Sequence, residues 1–157
     1  MLALTRIVLG IFFLFFAQYK LATPEFANTG YAKYVGGYIQ SSAVGFYKPF
    51  LKKTLQHAVA AGNAVAITEL LIGVSLVLGL RVRLFSVVGA LFMFNLVLCT
   101  WHVPGPAPPW RYLANQLDNI PLLGLFLVFF FYRAGETWGL DGRRKPSDRI
   151  RDAYKRA

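Results

Sequence analysis

Two charged residues stand where apolar residues dominate. Glu69 lies in the run Ile67 to Leu84, ITELLIGVSLVLGLRVRL, about where a membrane helix would be deepest. Lys20 closes the first apolar run, Leu2 to Tyr19. An ionisable side chain at bilayer depth is costly and marks a functional site by default. Pairing an acid with an amine lowers the cost of burying each, although burial stays costly overall. Lys20 and Glu69 are therefore expected to meet. Two uses are open to the pair. It is either an ion pair that locks helices together, the favoured reading, or a proton-handling or headgroup site beside a quinone-like molecule. Asp118, in the polar stretch Asn115-Gln116-Leu117-Asp118-Asn119, is the third candidate catalytic group.

Asn115 and Asn119 fall on one helical face. With Gln116 and Asp118 they serve either to cap and hydrogen-bond the start of the fourth helix, the favoured reading, or to line the mouth of a ligand pocket. His57 and His102 lie at the ends of the second and third apolar runs. Two histidines on facing helices suit a haem, and one suits a chlorophyll magnesium. Neither sits in a ligand motif, so both read first as interface histidines. His102 also suits a proton relay near neutral pH. Cys99 is the single cysteine, which rules out an intrachain disulfide, and no CxxC or zinc spacing exists. No metal site is expected.

The elements that position these groups follow from composition. The chain has 157 residues, 56% hydrophobic and 16% aromatic, with mean hydropathy +0.47. That is too apolar for an ordinary soluble domain and fits a polytopic membrane protein. The net charge is +10. Its basic residues flank apolar runs or sit in the tail, which favours lipid headgroups and topology over nucleic acid.

Four spans are expected, at about 2–20, 58–80, 84–101 and 112–132. The fold class is all-α, a four-transmembrane-helix bundle over residues 1–133 with a basic cytoplasmic tail over 134–157. In the first span Gly10 and Ala17 allow close packing, while the phenylalanines suit lipid. In the second, Ala58, Gly62, Ala66, Glu69 and Gly73 share one face, which turns Glu69 into the bundle. Arg81-Val82-Arg83 reads as a tight turn to an antiparallel neighbour. Pro121 predicts a kink in the fourth span, with the Leu117 carbonyl freed.

The 35-residue connection Ala22 to Gln56 should carry structure of its own. Thr23-Pro24-Glu25 reads as a helix start. Gly36-Gly37 reads as a break. Phe46, Phe50, Leu51 and Leu55 recur at helical spacing, an amphipathic stretch lying in the interface or folded over the bundle mouth.

Charge sets the expected orientation. The N-terminus, the Arg81/Arg83 turn and the tail hold eleven of the seventeen Lys and Arg residues. The excess places both termini in the cytoplasm of a bacterial inner membrane. Lys20, His57, His102 and the Asn115–Asn119 stretch then gather on the outer side, near Glu69.

Three segments together resemble the DoxX/DoxD family of small four-helix membrane proteins. The first is Arg6-Ile7-Val8-Leu9-Gly10 with Tyr19-Lys20-Leu21. The second is Glu69 to Leu80 with Arg83-Leu84. The third is Trp138-Gly139-Leu140-Asp141. The resemblance implies a four-helix bundle and an association with membrane redox chemistry. One family branch is a subunit of a thiosulfate:quinone oxidoreductase. Two functions follow as expectations: an accessory subunit of a larger membrane redox or electron-transfer complex, or a quinone-interacting oxidoreductase subunit with a buried Lys/Glu site. Quinone is the leading cofactor candidate, ahead of haem or chlorophyll; the partners are the bilayer and a larger complex.

Overall fold

The computed structural model describes residues 1–103 and 105–143, and every regular element among them is helical. The α-helices run α1 (Leu2–Ala22), α2 (Tyr31–Gly37), α3 (Lys48–Leu55), α4 (Ala58–Leu78), α5 (Val82–Cys99), α6 (Pro109–Ala114) and α7 (Asn119–Phe131). Three of them, α1, α4 and α5, are long and apolar enough to cross a membrane. At 1.5 Å rise per residue the two 21-residue helices reach about 31 Å. This matches the hydrocarbon thickness of a bilayer.

The fourth apolar run departs from expectation. It is not a continuous helix from Tyr112. Residues 115–118 form turns, and α7 has only 13 residues. The cause is Pro121. Proline lacks an N–H and is tolerated in the first helical turn, where that N–H would be unbonded anyway. The helix therefore starts two residues before it, at Asn119, instead of running through with a kink.

Helix ends have local causes. Pro24 disfavours the helical region for its predecessor, and Thr23 is extended at φ −116°, ψ 107°. A helical turn begins at Pro24 as expected, with the Thr23 carbonyl accepting the Phe26 N–H at 3.2 Å, but the Thr23 hydroxyl donates backward to the Tyr19 carbonyl at 2.7 Å and gives no side-chain cap. α4 stops at Gly79, which takes the left-handed conformation at φ +65°. The turn to α5 is Gly79-Leu80-Arg81. Val82 and Arg83 already belong to α5, so the basic turn lies earlier than the sequence suggests.

Small residues set the packing. A Cβ on Gly10 would lie 2.8 Å from Val77 Cγ2, and one on Gly73 would lie 2.8 Å from Leu14 Cγ. α1 and α4 therefore run antiparallel in close contact, with residues 10 and 14 facing 76–77 and 73. This register sets Glu69 opposite the last turn and a half of α1. α5 packs along α7, with the Phe126 ring directly over Gly89. Phe13 of α1 joins the two pairs, edge-on to Phe126 at 5.6 Å and to Phe92 at 6.5 Å. Phe12, Phe15 and Phe16 point outward.

Residues 23–57 form a cap on one end of the bundle. Ala27 and Tyr31 close over Gly62 of α4. Val35, Ala43, Leu51 and Cys99 make a small core of their own. Gly36 and Gly37 do not break this segment: α2 runs through both and continues into a wide turn over Tyr38–Ser42. The face expected for α3 also divides. Leu51 is buried, but Phe46 and Phe50 are exposed. Beside a membrane the outer surface is apolar too, so periodicity alone does not say which apolar residues turn inward.

Candidate functional site

The structure brings Lys20 and Glu69 together. Lys20 Nζ donates to Glu69 Oε1 at 2.5 Å. Lys20 stands in the last turn of α1 and Glu69 in the middle of α4. The small face that lets the helices approach also buries Gly62, Ala66 and Gly73 beside Glu69. Glu69 is 5% exposed, while the Lys20 side chain keeps 19%. Lys20 Nζ also lies 5.0 Å from the centroid of the Phe26 ring. That placement stabilises the ammonium through the ring quadrupole. The second carboxylate oxygen, Glu69 Oε2, is buried without a hydrogen-bond partner among the described residues.

The polar groups expected around Glu69 fall elsewhere at the same end. They gather on the last turn of α5 and form no hydrogen bond with Lys20 or Glu69 among the described residues. Asn115 Nδ2 donates to the Thr100 carbonyl at 2.5 Å. Gln116 Nε2 donates to the same carbonyl at 2.8 Å. Asn119 Nδ2 donates to Thr100 Oγ1 at 3.2 Å and to Gln116 Oε1 at 3.1 Å. The cap supplies the rest: Val44 N–H donates to the Leu98 carbonyl at 3.0 Å, and Ser42 Oγ to the Cys99 carbonyl at 2.8 Å. The last carbonyls of a helix lack partners within it. Here distant segments meet that need. Gln116 is fully buried and central; the sequence offers it as one of four polar groups with Asn115, Asp118 and Asn119 and does not mark it out among them. The only signal for it is the density of amides between two apolar runs.

The other candidates are spread out. Asp118 is exposed just before α7, with no capping bond. His57 is exposed at the start of α4, also without capping it. His102 is exposed, and its backbone N–H donates to the Ser42 carbonyl at 2.8 Å. Among the described residues no three His, Cys, Asp or Glu side chains cluster so as to hold a metal ion. Tyr47 closes the cap onto α5, its hydroxyl donating to Asn95 Oδ1 at 2.5 Å. Burial, then nearby Cys99 and Tyr31, push the Tyr47 phenol up to about 12.

A second buried charge occupies the opposite end. Arg6 of α1 is fully buried. Its Nη1 donates to the Ala134 carbonyl at 3.0 Å and its Nη2 to the Trp138 carbonyl at 3.3 Å. The chain after α7 folds back to provide them. Asp141 in that segment accepts the Arg81 and Val82 N–H groups at 2.7 and 2.9 Å. A carboxylate at a helix N-terminus meets orphan donors and the positive end of the helix dipole. Gly79 and Gly139 pass so close to the Arg6 guanidinium that neither has room for a Cβ. The tail beyond Arg143 lies outside the described residues.

A family model for DoxX matches residues 1–102, which takes in Arg6, Lys20 and Glu69 but not the Gly139-Leu140-Asp141 segment. Comparison with curated proteins and with solved structures gave no match. The match covers well over half the chain, and with the helical architecture and three apolar spans it makes this a membrane protein that belongs to the DoxX family.

Proposed function

We propose that the protein is an accessory subunit of a larger membrane redox or electron-transfer complex. It sits in a bacterial inner membrane as a four-span bundle with both termini in the cytoplasm. One observation carries this reading: most buried polar side chains among the described residues, Arg6, Ser75 and Gln116, bond to the chain's own backbone, and less buried ones add to this. Arg6 holds the carbonyls of Ala134 and Trp138. Asp141 holds the start of α5, and Asn115 and Gln116 hold its end. Polar groups used in this way make a rigid apolar scaffold, and electron transfer falls to the partner. The redox setting comes from the resemblance to the DoxX family, and the orientation from the excess of Lys and Arg in the segments assigned to the cytoplasm. The fourth span is supported by Leu113 and Leu117, exposed ahead of α7, which lengthen its apolar surface.

The test is extraction of native membranes in mild detergent, followed by mass measurement and visible spectroscopy. Co-purification at a fixed ratio with a larger redox complex is the expected result. A chain that purifies alone and carries a visible chromophore contradicts it.

A second reading rests on Glu69 Oε2. An orphaned, buried carboxylate oxygen beside an ammonium fits a quinone-type ligand in its hydroxyl form. Under this reading the chain is a quinone-interacting membrane subunit, and Lys20 and Glu69 form its polar site. Lys20 would hold a ligand oxygen and Glu69 a ligand proton.

A further inference from the structure

Lys20 and Glu69 together specify what a ligand must offer. Glu69 Oε1 is occupied by Lys20, and Oε2 has no partner. A buried charged acceptor left unpaired is costly. Among the described residues no donor reaches it, and the α4 face on either side of Glu69 carries only Ala66 and Gly73. Lys20 carries three N–H donors. One goes to Glu69, and its partial exposure leaves the others open to an acceptor. An open acceptor, Oε2, and open donors on Nζ thus belong to one ion pair, which is joined through Oε1 at 2.5 Å. A hydroxyl answers both with one atom: its proton goes to Oε2 and its lone pair to the ammonium. A carbonyl, ether or phosphate ester only accepts and leaves Oε2 unpaired. An ammonium only donates and meets the charge of Lys20. Both residues stand on helices long and apolar enough to span the membrane, so the ligand is lipid-soluble.

We propose that the Lys20–Glu69 pair holds the hydroxyl group of a lipid-soluble phenol or alcohol and discriminates against the same molecule with that hydroxyl masked. This rests on reading the pair as a ligand site and adds what the site selects. The hydroxyl has two possible sources, a hydroquinone or a lipid alcohol such as a diacylglycerol.

The test uses the full chain in phosphatidylcholine nanodiscs. The probes are decylhydroquinone, its dimethyl ether, decylquinone and dioctanoylglycerol. Binding is read by calorimetry, and the Glu69 carboxylate stretch by infrared spectroscopy with labelled glutamate. At least one hydroxyl probe should bind at least ~10-fold more tightly than the ether, the size expected for one hydrogen bond to a charged group. It should also shift a carboxylate band that Glu69→Gln removes. Whichever of decylhydroquinone and dioctanoylglycerol binds more tightly identifies the source. Equal binding of decylhydroquinone, ether and quinone, with dioctanoylglycerol no tighter, would overturn the hydroxyl preference and leave a quinone site standing. No binding of any probe overturns both. If Glu69→Gln does not fold, the hydroxyl-to-ether ratio on the native chain decides alone.

Discussion

The two ends of the bundle each bury a charge from α1, and they treat it differently. At one end Arg6 is fully buried and bonds only to neutral carbonyls, Ala134 and Trp138, with its Nε left unpaired among the described residues. At the other end Lys20 meets a carboxylate, and that carboxylate keeps one oxygen unpaired. The Arg6 end also ties down three separate segments. The chain after α7 supplies carbonyls to Arg6, and Asp141 caps α5. The Lys20 pair joins α1 and α4, and its ammonium also lies over the Phe26 ring of the cap. A guanidinium presents several donors in a fixed fork and suits the clamping of backbone oxygens. An ammonium is compact and reorients on a flexible stem. Each end leaves one polar atom unpaired, so exposure separates them: the sealed Arg6 fork holds the fold, and the partly exposed Lys20 ammonium is open to a ligand.

The sharpest way to break the comparison is at Arg6. Arg6→Ala strips donors from two carbonyls and leaves a void at the Gly79–Gly139 contact. The expected loss is about 3 kcal/mol or more, from charged hydrogen bonds and the cavity together. It should appear as a large drop in thermal midpoint in detergent. An unchanged midpoint would remove the clamp from the account. Asp141→Ala should cost less, about 1–2 kcal/mol, because it removes one helix cap. Hydrogen exchange should then rise at Arg81 and Val82 before it rises elsewhere. Uniform exchange across α5 would contradict this.

The cap at the Lys20 end can be probed by alkali. Burial pushes the Tyr47 phenol up to about 12 from its ordinary value of 10.0. Its pKa in the folded chain is raised, so its contribution to stability is fully present below pH 10.0 and lost as pH rises through about 12. The difference spectrum between the native chain and Tyr47→Phe, read at the phenolate absorbance, should show this late titration. A phenolate forming near pH 10 would mean that the cap does not close over α5 through Tyr47.

Much of the Lys20 end is legible in the sequence. Spacing puts Ala66, Glu69 and Gly73 on one face, and charge in an apolar run asks for a partner. Both are local signals, and helical periodicity carries them. The Arg6 end is less legible. Asp141 caps a helix that begins 59 residues earlier. Gln116 serves a carbonyl 16 residues before it, across a proline-rich turn. No local pattern encodes such pairings, because they depend on how segments meet after folding. Pro121 reads as a kink in the sequence because residues 112–132 together have the length of one span. The competing demand is at Thr100, whose carbonyl draws Asn115 and Gln116 away from a continuous helix. Phe46 and Phe50 share the helical spacing of a buried face but are exposed, because in a membrane the outer face is apolar as well.

The most direct test compares the two ends in one experiment. Arg6→Ala and Glu69→Gln are prepared in the same detergent, and thermal stability is measured for both. Glu69→Gln keeps an oxygen for Lys20, whose ammonium can reach the headgroup layer on its flexible stem. Its cost should be about 1 kcal/mol or less, and that of Arg6→Ala several times larger. A Glu69→Gln protein as unstable as Arg6→Ala would make the Lys20–Glu69 pair a second structural clamp and contradict the division between the two ends.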